Sequence, residues 1–284
     1  MPRFAARDVL TVAAQPVLLL AAVAVFALAQ GRGWEPGPAT FLFQFVVLGL
    51  LVALEFLIPY DPSWRPDRRE WGYYAVYYVL TATAGALGQS AVLLVVAAVA
   101  TPDPALPLWG EIPLALLVGS LASYAVHRAG HHYPSLWRLH GVHHVPSKVN
   151  VANNGVNHVA DVLISQGFVQ LALALVGFSE RAVFGVGLFV VAQGYFVHAN
   201  IRVRLGPLSR VLVGPEQHRL HHSTDLAEAG HYGSDLAVWD QLFRTFTWYP
   251  GREPAAVGLT DPGLFPATGR ILVTLVHPWR RSAG

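Results

Sequence analysis

The sequence predicts an all-α, polytopic integral membrane protein carrying a histidine-rich cap on its cytosolic side. Three observations lead there. Hydrophobic residues make up 54% of the 284-residue chain and charged residues only 13%, about half the 25% share usual in soluble domains. The apolar residues fall in runs long enough to cross a bilayer core of about 30 Å as helices, whose backbone groups bond internally. Twelve of the thirteen histidines lie between residues 127 and 231, close to where such runs end.

In chain order, the first span runs from about Val9 to Gln30, with Pro16 inside it. Proline is tolerated there because neighbouring helices satisfy the freed carbonyl. The first apolar run shows no small-residue cleavage pattern, so it reads as a retained helix. The turn GRGWEPGP leads to a second span, about Phe41 to Ile58, with the single acid Glu55 near its end. A polar, proline-rich loop precedes the third span, about Tyr73 to Ala100, whose YYAVYY cluster suits the membrane interface. After the turn TPDPALP, the fourth span, about Ile112 to Val126, delivers the chain into His127. Residues Val159 to Val176 and Ala182 to Val197 form an apolar hairpin that returns the chain to the side it left, beside His198. The whole chain reads as one unit, with residues 127–158 and 198–250 as the cap.

Arginine placement orients it. Arg3 and Arg7 precede the first span, Arg65, Arg68 and Arg69 follow the second, and Arg128, Arg138 and Lys148 follow the fourth. The opposite side carries Arg32 and no basic residue in 101–111. The N-terminus and the histidine clusters are therefore expected on the cytoplasmic side. A net charge of +2 is too small for a nucleic-acid partner, and the absence of cysteine excludes disulfides, thiolate metal sites and a cysteine nucleophile.

The histidines have a repeated spacing. His127 and His131 form His-x3-His; His140, His143 and His144 form His-x2-His-His, which recurs at His218, His221 and His222. Residues three and four apart share a helix face, so each group is expected to aim its imidazoles at one point. Eight such histidines exceed the four ligands of one zinc ion and suit two first-row ions, although imidazole serves iron, zinc and copper alike. A soluble di-iron protein would use paired Glu-x-x-His, and only Glu228 and His231 have that spacing. His-Glu-x-x-His is absent.

With these motifs in place, the chain from about Glu55 to Thr247 resembles the fatty acid hydroxylase/sterol desaturase superfamily of membrane di-iron enzymes. HRAGH and LHGVHH resemble its first two histidine boxes, HAN (198–200) its short box, and PEQHRLHH its last. HYG (231–233) with WDQLFRT (239–245) resembles the closing signature, usually Asn-Tyr-Gly and Trp-Asp-x-Leu-Phe-Gly-Thr. The resemblance implies a metal ligand set of His127, His131, His140, His143, His144, His198, His218, His221 and His222. It also implies two iron ions, with zinc able to occupy the site in purified protein. The implied chemistry is O2-dependent hydroxylation or desaturation of an unactivated C–H bond of a lipid that enters from the bilayer.

Three positions depart from that pattern: His231 replaces Asn, Arg244 replaces Gly, and Val156-Asn157-His158 stands where Arg-x-His is common. The expectation is that these positions, with Asn200, Asp161, Tyr232 and Asp240, lie near the metals or the substrate. Glu216 and Asp235 are further acids of the same neighbourhood, and Trp137, Tyr195 and Phe196 are candidates to line a hydrocarbon groove. His132 projects away from its neighbours' face, and His277 is isolated. No cytochrome b5-like His-Pro-Gly-Gly, Rossmann glycine pattern or iron–sulfur cysteine set is present, so a separate electron donor, a ferredoxin or small haem protein, is implied. The competing readings are a histidine-lined metal transporter, which would place ligands mid-membrane, and a membrane zinc hydrolase, for which no general base can be assigned.

Overall fold

Most of the packing joins long helices that are not consecutive in the chain. The structure, a computed structural model, describes residues 6–99 and 104–280. Arg3 and residues 100–103, used above for orientation and for the end of the third span, lie outside the described residues. Six helices are long and apolar enough to cross a membrane. They are α1 (Ala6–Arg32), α2 (Pro36–Leu57), α3 (Arg68–Val99), α4 (Leu108–His132), α6 (Val159–Val176) and α7 (Glu180–Val197). Short helices complete the chain: α5 (Pro134–His140), α8 (Pro215–His221), α9 (Val238–Leu242) and α10 (Ile271–Val276). Among the described residues there is no strand, only three isolated bridges. The protein is all-α.

Local chemistry sets the ends. Pro36 opens α2, where its missing N–H is not needed. Gly177, in the left-handed region with φ 84°, closes α6, and the Ser179 hydroxyl accepts from Ala182 N to start α7. The fourth span was expected to stop at Val126. Instead α4 continues unbroken through His127 and His131 to His132, and stops where extended Tyr133 precedes Pro134. A helix persists past the apolar run because its polar last turns face the cap, where His127 and His131 meet the other histidines.

Two helix sets share α4. Helix α7 packs on α1 and α2 around Leu18, Leu51, Phe184, Leu188 and Phe196, while α3 packs on α6. Helix α4 lies against both α6 and α7, over Ala115, Leu173, Phe178 and Val186. The outer faces keep large apolar side chains exposed, Leu20, Leu42, Val46 and Leu94 among them, as lipid-facing surfaces do. The start of α1, the end of α2, the start of α3 and the end of α4 share one end of the bundle. There Arg204 N donates to Thr11 O, Tyr60 N to Asn200 O and Lys148 Nζ to Glu70 Oε2.

At the opposite end a buried acid that the sequence reading passed over fixes the hairpin. Glu111, in the first turn of α4, accepts from both the backbone N–H and the hydroxyl of Ser179 in the α6–α7 turn. Glu111→Ala leaves both donors without that acceptor. A loss of about 1–3 kcal/mol is expected, read as a lower unfolding midpoint in detergent; an unchanged midpoint would remove Glu111 from this role.

Candidate metal centre

The last two turns of α4 carry His127 and His131 one above the other, four residues apart. Helix α5 ends at His140, and a 3-10 turn over Gly141–His144 continues it through His143 and His144. His198 follows α7 directly, and α8 supplies His218 and His221, with His222 capping its end. These nine side chains gather into two groups. In one, nitrogens of His127, His131, His140, His144 and His221 lie within 4.8 Å of one another; in the other, those of His143, His198, His218 and His222 do.

Neither His-x2-His-His motif aims at one point, contrary to the sequence expectation. His140 and His144 join the first group and His143 the second; His218 and His222 join the second and His221 the first. The reason is angular. In α8, residues i and i+4 differ by about 40° around the helix, whereas i+3 lies about 60° the other way; in the first motif the change from α5 to a 3-10 turn after His140 divides the rings. Each motif therefore serves both points, with the two-to-one split reversed between them.

Backbone carbonyls and one carboxylate orient the rings. The Nδ1 atoms of His127, His143, His198 and His221 sit 2.6, 3.2, 2.8 and 3.0 Å from the carbonyls of Tyr232, Val156, Asn150 and Gly230. His140 Nδ1 lies 3.1 Å from Asp161 Oδ2. The Nε2 atoms of His127, His131, His140, His144, His198 and His221 are buried without a partner among the described residues. An imidazole whose outer nitrogen donates to a carbonyl or carboxylate, with its inner nitrogen bare, is arranged as a metal ligand. Burial, and then the neighbouring imidazoles, hold His143, His144, His218, His221 and His222 well below the usual histidine pKa; burial holds His198 at about 4. Their lone pairs are thus free at neutral pH. His218 Nε2 and His222 Nε2 approach to 3.1 Å, close to the roughly 3 Å between nitrogens on one ion. Two clusters of inward-facing nitrogen donors fit two cations.

The other candidates divide. Asp161 bonds His140 directly. The ring of Tyr232 stands 5.2 Å from that of His131 and its carbonyl holds His127. Asp240 acts one layer further out: it accepts from Tyr232 N, Gly233 N and the Thr245 hydroxyl, and so fixes the loop that offers that carbonyl. A Cβ on Gly233 would come within 2.8 Å of the same carboxylate and 2.6 Å of Leu236 O, which is why the HYG motif ends in glycine. Glu55 accepts from Val151 N and Asn200 N, beside the Asn150 carbonyl that orients His198. Trp137 packs 5.2 and 5.5 Å from His131 and His144.

Several expectations need correcting. Asn200 does not face either group; it pairs with the backbone of Asp61 and ties the cap to the end of α2. His158 caps α6, accepting from Ala160 N, with Nε2 against Leu275 O. Asp235 accepts from Ser120 and Leu236 N, and Glu216 joins neither group. Phe196 is a fully buried core residue, and Tyr195 bonds Gln44. His132 is exposed, and His277 packs against Phe265 away from the clusters.

The two signature departures share one explanation. His231 and Arg244 are the described non-glycine residues with positive φ, 62° and 60°. Asparagine and glycine, usual there in the family pattern, are the residues that adopt this left-handed conformation most readily. The departures therefore fall at backbone-controlled turns. His231 Nε2 accepts from both Thr247 N and Trp248 N, and burial holds the ring neutral with a pKa of about 3. Val156, the third departure, is fully buried and offers its carbonyl to His143.

Comparison with known proteins gives a concordant picture. The fatty acid hydroxylase family model matches residues 112–245. Ornithine lipid hydroxylase OlsE of Rhizobium tropici is 31% identical over 252 residues, covering 82% of this chain and 73% of that protein. The alkylglycerol monooxygenase of Danio rerio is 29% identical over 171 residues, 59% of this chain and 37% of its own length. Its Homo sapiens counterpart is 30% identical over 141 residues, 49% of this chain and 31% of its own length. No solved structure gives a significant match.

The geometry of the two turns makes a paired prediction. Arg244→Gly relieves a left-handed arginine and should stabilise the protein by about 1 kcal/mol. His231→Ala keeps the strained backbone and removes the acceptor for Thr247 and Trp248, and should cost about 1–3 kcal/mol with metal content unchanged. Metal loss in His231→Ala would add that residue to the ligand set.

Proposed function

The chain belongs to the fatty acid hydroxylase family, and we propose that it hydroxylates a C–H position of a membrane lipid at two iron ions. It is an oxidoreductase whose named relatives are a lipid hydroxylase and monooxygenases. The observation that carries the proposal is the nine imidazoles in two groups, seven buried and His127 and His131 half-buried, each group presenting nitrogens to a common point. His127, His131, His140, His144 and His221 would hold one ion, and His143, His198, His218 and His222 the other. Zinc fits the same nitrogens and is an expected occupant after overexpression.

The bound pair would supply oxygen activation. One oxygen atom enters the C–H bond as a hydroxyl and the other leaves as water, which requires two electrons and two protons from outside. A separate ferredoxin or small haem protein is the proposed donor. The protein's own part is positional. Asp161 and the four carbonyls fix which nitrogen of each ring faces inward, while Trp137 and Tyr232 wall the first group with apolar ring faces. The histidines stand at the ends of α4 and α7 rather than at mid-span. A lipid whose chain lies in the bilayer can thus present a carbon at the cap boundary. This placement supports an enzyme acting at the interface, with membrane bundle and cap as one unit.

Metal analysis and lipid profiling test this together. Purified wild type should approach about two metal ions per chain, and His140→Ala and His143→Ala should each lower that and abolish turnover. Asp161→Asn should keep metal and lose about ten- to a hundredfold in rate. Membranes exposed to 18O2 should yield a lipid heavier by one labelled oxygen. A stoichiometry of one, unchanged by iron supplementation, or full activity in His143→Ala, contradicts the proposal.

Orientation is proposed from arginine placement, with the N-terminus and the histidines cytoplasmic. Reporter fusions within 62–70 and after Lys148 should report cytoplasm, and one within 102–108 the other side. A cytoplasmic signal from 102–108 would reverse that reading.

A further inference from the structure

Helix α8 has a second face. While its histidines turn to the two groups, Glu216 and Arg219 line a separate cavity of about 520 Å³. The start of α1, the end of α2 and the loop after His198 close it, contributing Arg7, Asp8, Arg202 and Arg204, with Glu253 from the C-terminal segment. An adjoining cavity of about 330 Å³ shares Arg202 and Glu253. Arg219 is 2% exposed, donates to the Ile201 carbonyl at 3.4 Å and lies 3.8 Å over the Tyr60 ring, yet its buried Nε has no hydrogen-bond partner.

Charges of both signs border this space. Neither Glu216 nor Glu253 lies within ion-pair distance of Arg202 or Arg219. Arg7, Arg202 and Arg204 are exposed, whereas Arg219 is buried with its Nε unsatisfied, and an unsatisfied buried donor favours an acceptor beside it. A bare anion would meet Asp8, Glu216 and Glu253, and a bare cation would meet four guanidinium groups. A ligand carrying both signs satisfies both sets.

Location selects the kind of ligand. The cavity sits where α1 begins and α2 ends, and Phe56 and Leu57 beside it are 56% and 51% exposed on the lipid-facing surface. We propose that this cavity binds the zwitterionic head group of a membrane lipid, its oxyanion on Arg219 and Arg202 and its ammonium toward Glu253 and Glu216. Arginine is suited to the first role by its planar, forked donors. The site lies across α8 from the histidines, and Arg219 follows His218 in sequence. Occupancy therefore steadies the same turn that presents His218, His221 and His222.

Native mass spectrometry of the purified full chain tests this. The protein is released from detergent after equilibration with equal amounts of phosphatidylethanolamine, phosphatidylglycerol and diacylglycerol. Phosphatidylethanolamine should be retained preferentially, and its retention should fall about tenfold in Arg219→Gln and in the solvent-facing variants Arg202→Gln and Glu253→Gln. The latter two keep the test valid should the buried Arg219→Gln variant fail to fold. Soluble phosphoethanolamine forms a second arm: retention of it in place of the lipid assigns the site to a free zwitterion of the same chemistry. Equal retention of all three lipids, or unchanged retention in Arg202→Gln and Glu253→Gln, overturns the proposal. The assay reads no turnover and no metal, so it stands or falls apart from the oxygenase reading.

Discussion

Nine imidazoles gathered in two groups, six of them with a bare nitrogen turned inward, set the terms for the whole molecule. Left as they stand, each unpartnered nitrogen costs on the order of 1–3 kcal/mol, and protonating them would bring like charges within a few ångströms. Cations at the two convergence points would relieve both penalties at once, as metal binding coupled to folding does elsewhere. The remaining architecture reads as the means of bringing four segments, distant in sequence, to that place. Helix α4 extends beyond its apolar run, α7 ends at His198, and the cap folds α5 and α8 over them.

The bundle and cap are joined by polar contacts rather than by apolar packing alone. Glu55 receives the backbone of both Val151 and Asn200, so one carboxylate at the end of α2 steadies the segments on either side of the membrane hairpin. Asp240 does the same for the Tyr232 loop. Both are buried acids whose lone pairs are used by backbone N–H groups, the condition under which a buried carboxylate is tolerated. Their contribution to the site is indirect but definite: Asn150 and Tyr232 offer the carbonyls that orient His198 and His127.

Much of this was legible in the sequence because it has a period or a spacing. Apolar runs gave the six long helices, and the repeated His-x2-His-His drew attention to the nine histidines that the structure gathers. What the sequence hid was geometry between segments. Spacing says that His140, His143 and His144 share a turn, not that His143 looks to a different partner set. Glu111 and Glu55 look alike as lone acids near span ends, and nothing local reveals that Ser179 or Asn200 will meet them. His231 and Arg244 seemed chemical departures until their φ angles showed them to be conformational ones. Asp161 could be suspected but not chosen, since its partner His140 lies twenty-one residues away.

The reversed split of the two His-x2-His-His motifs has a mechanical consequence. Helix α8 and the α5 turn each reach both convergence points with side chains one helical turn apart. The separation of those points is therefore a backbone dimension, fixed by helical rise and imidazole length and not by loop positions. Strain transmitted from the bilayer can translate or tilt the pair as one body, but changing their spacing requires unwinding a turn. Filling either point stiffens the helix that frames the other, so loading is expected to be cooperative, with half-filled protein a minor species.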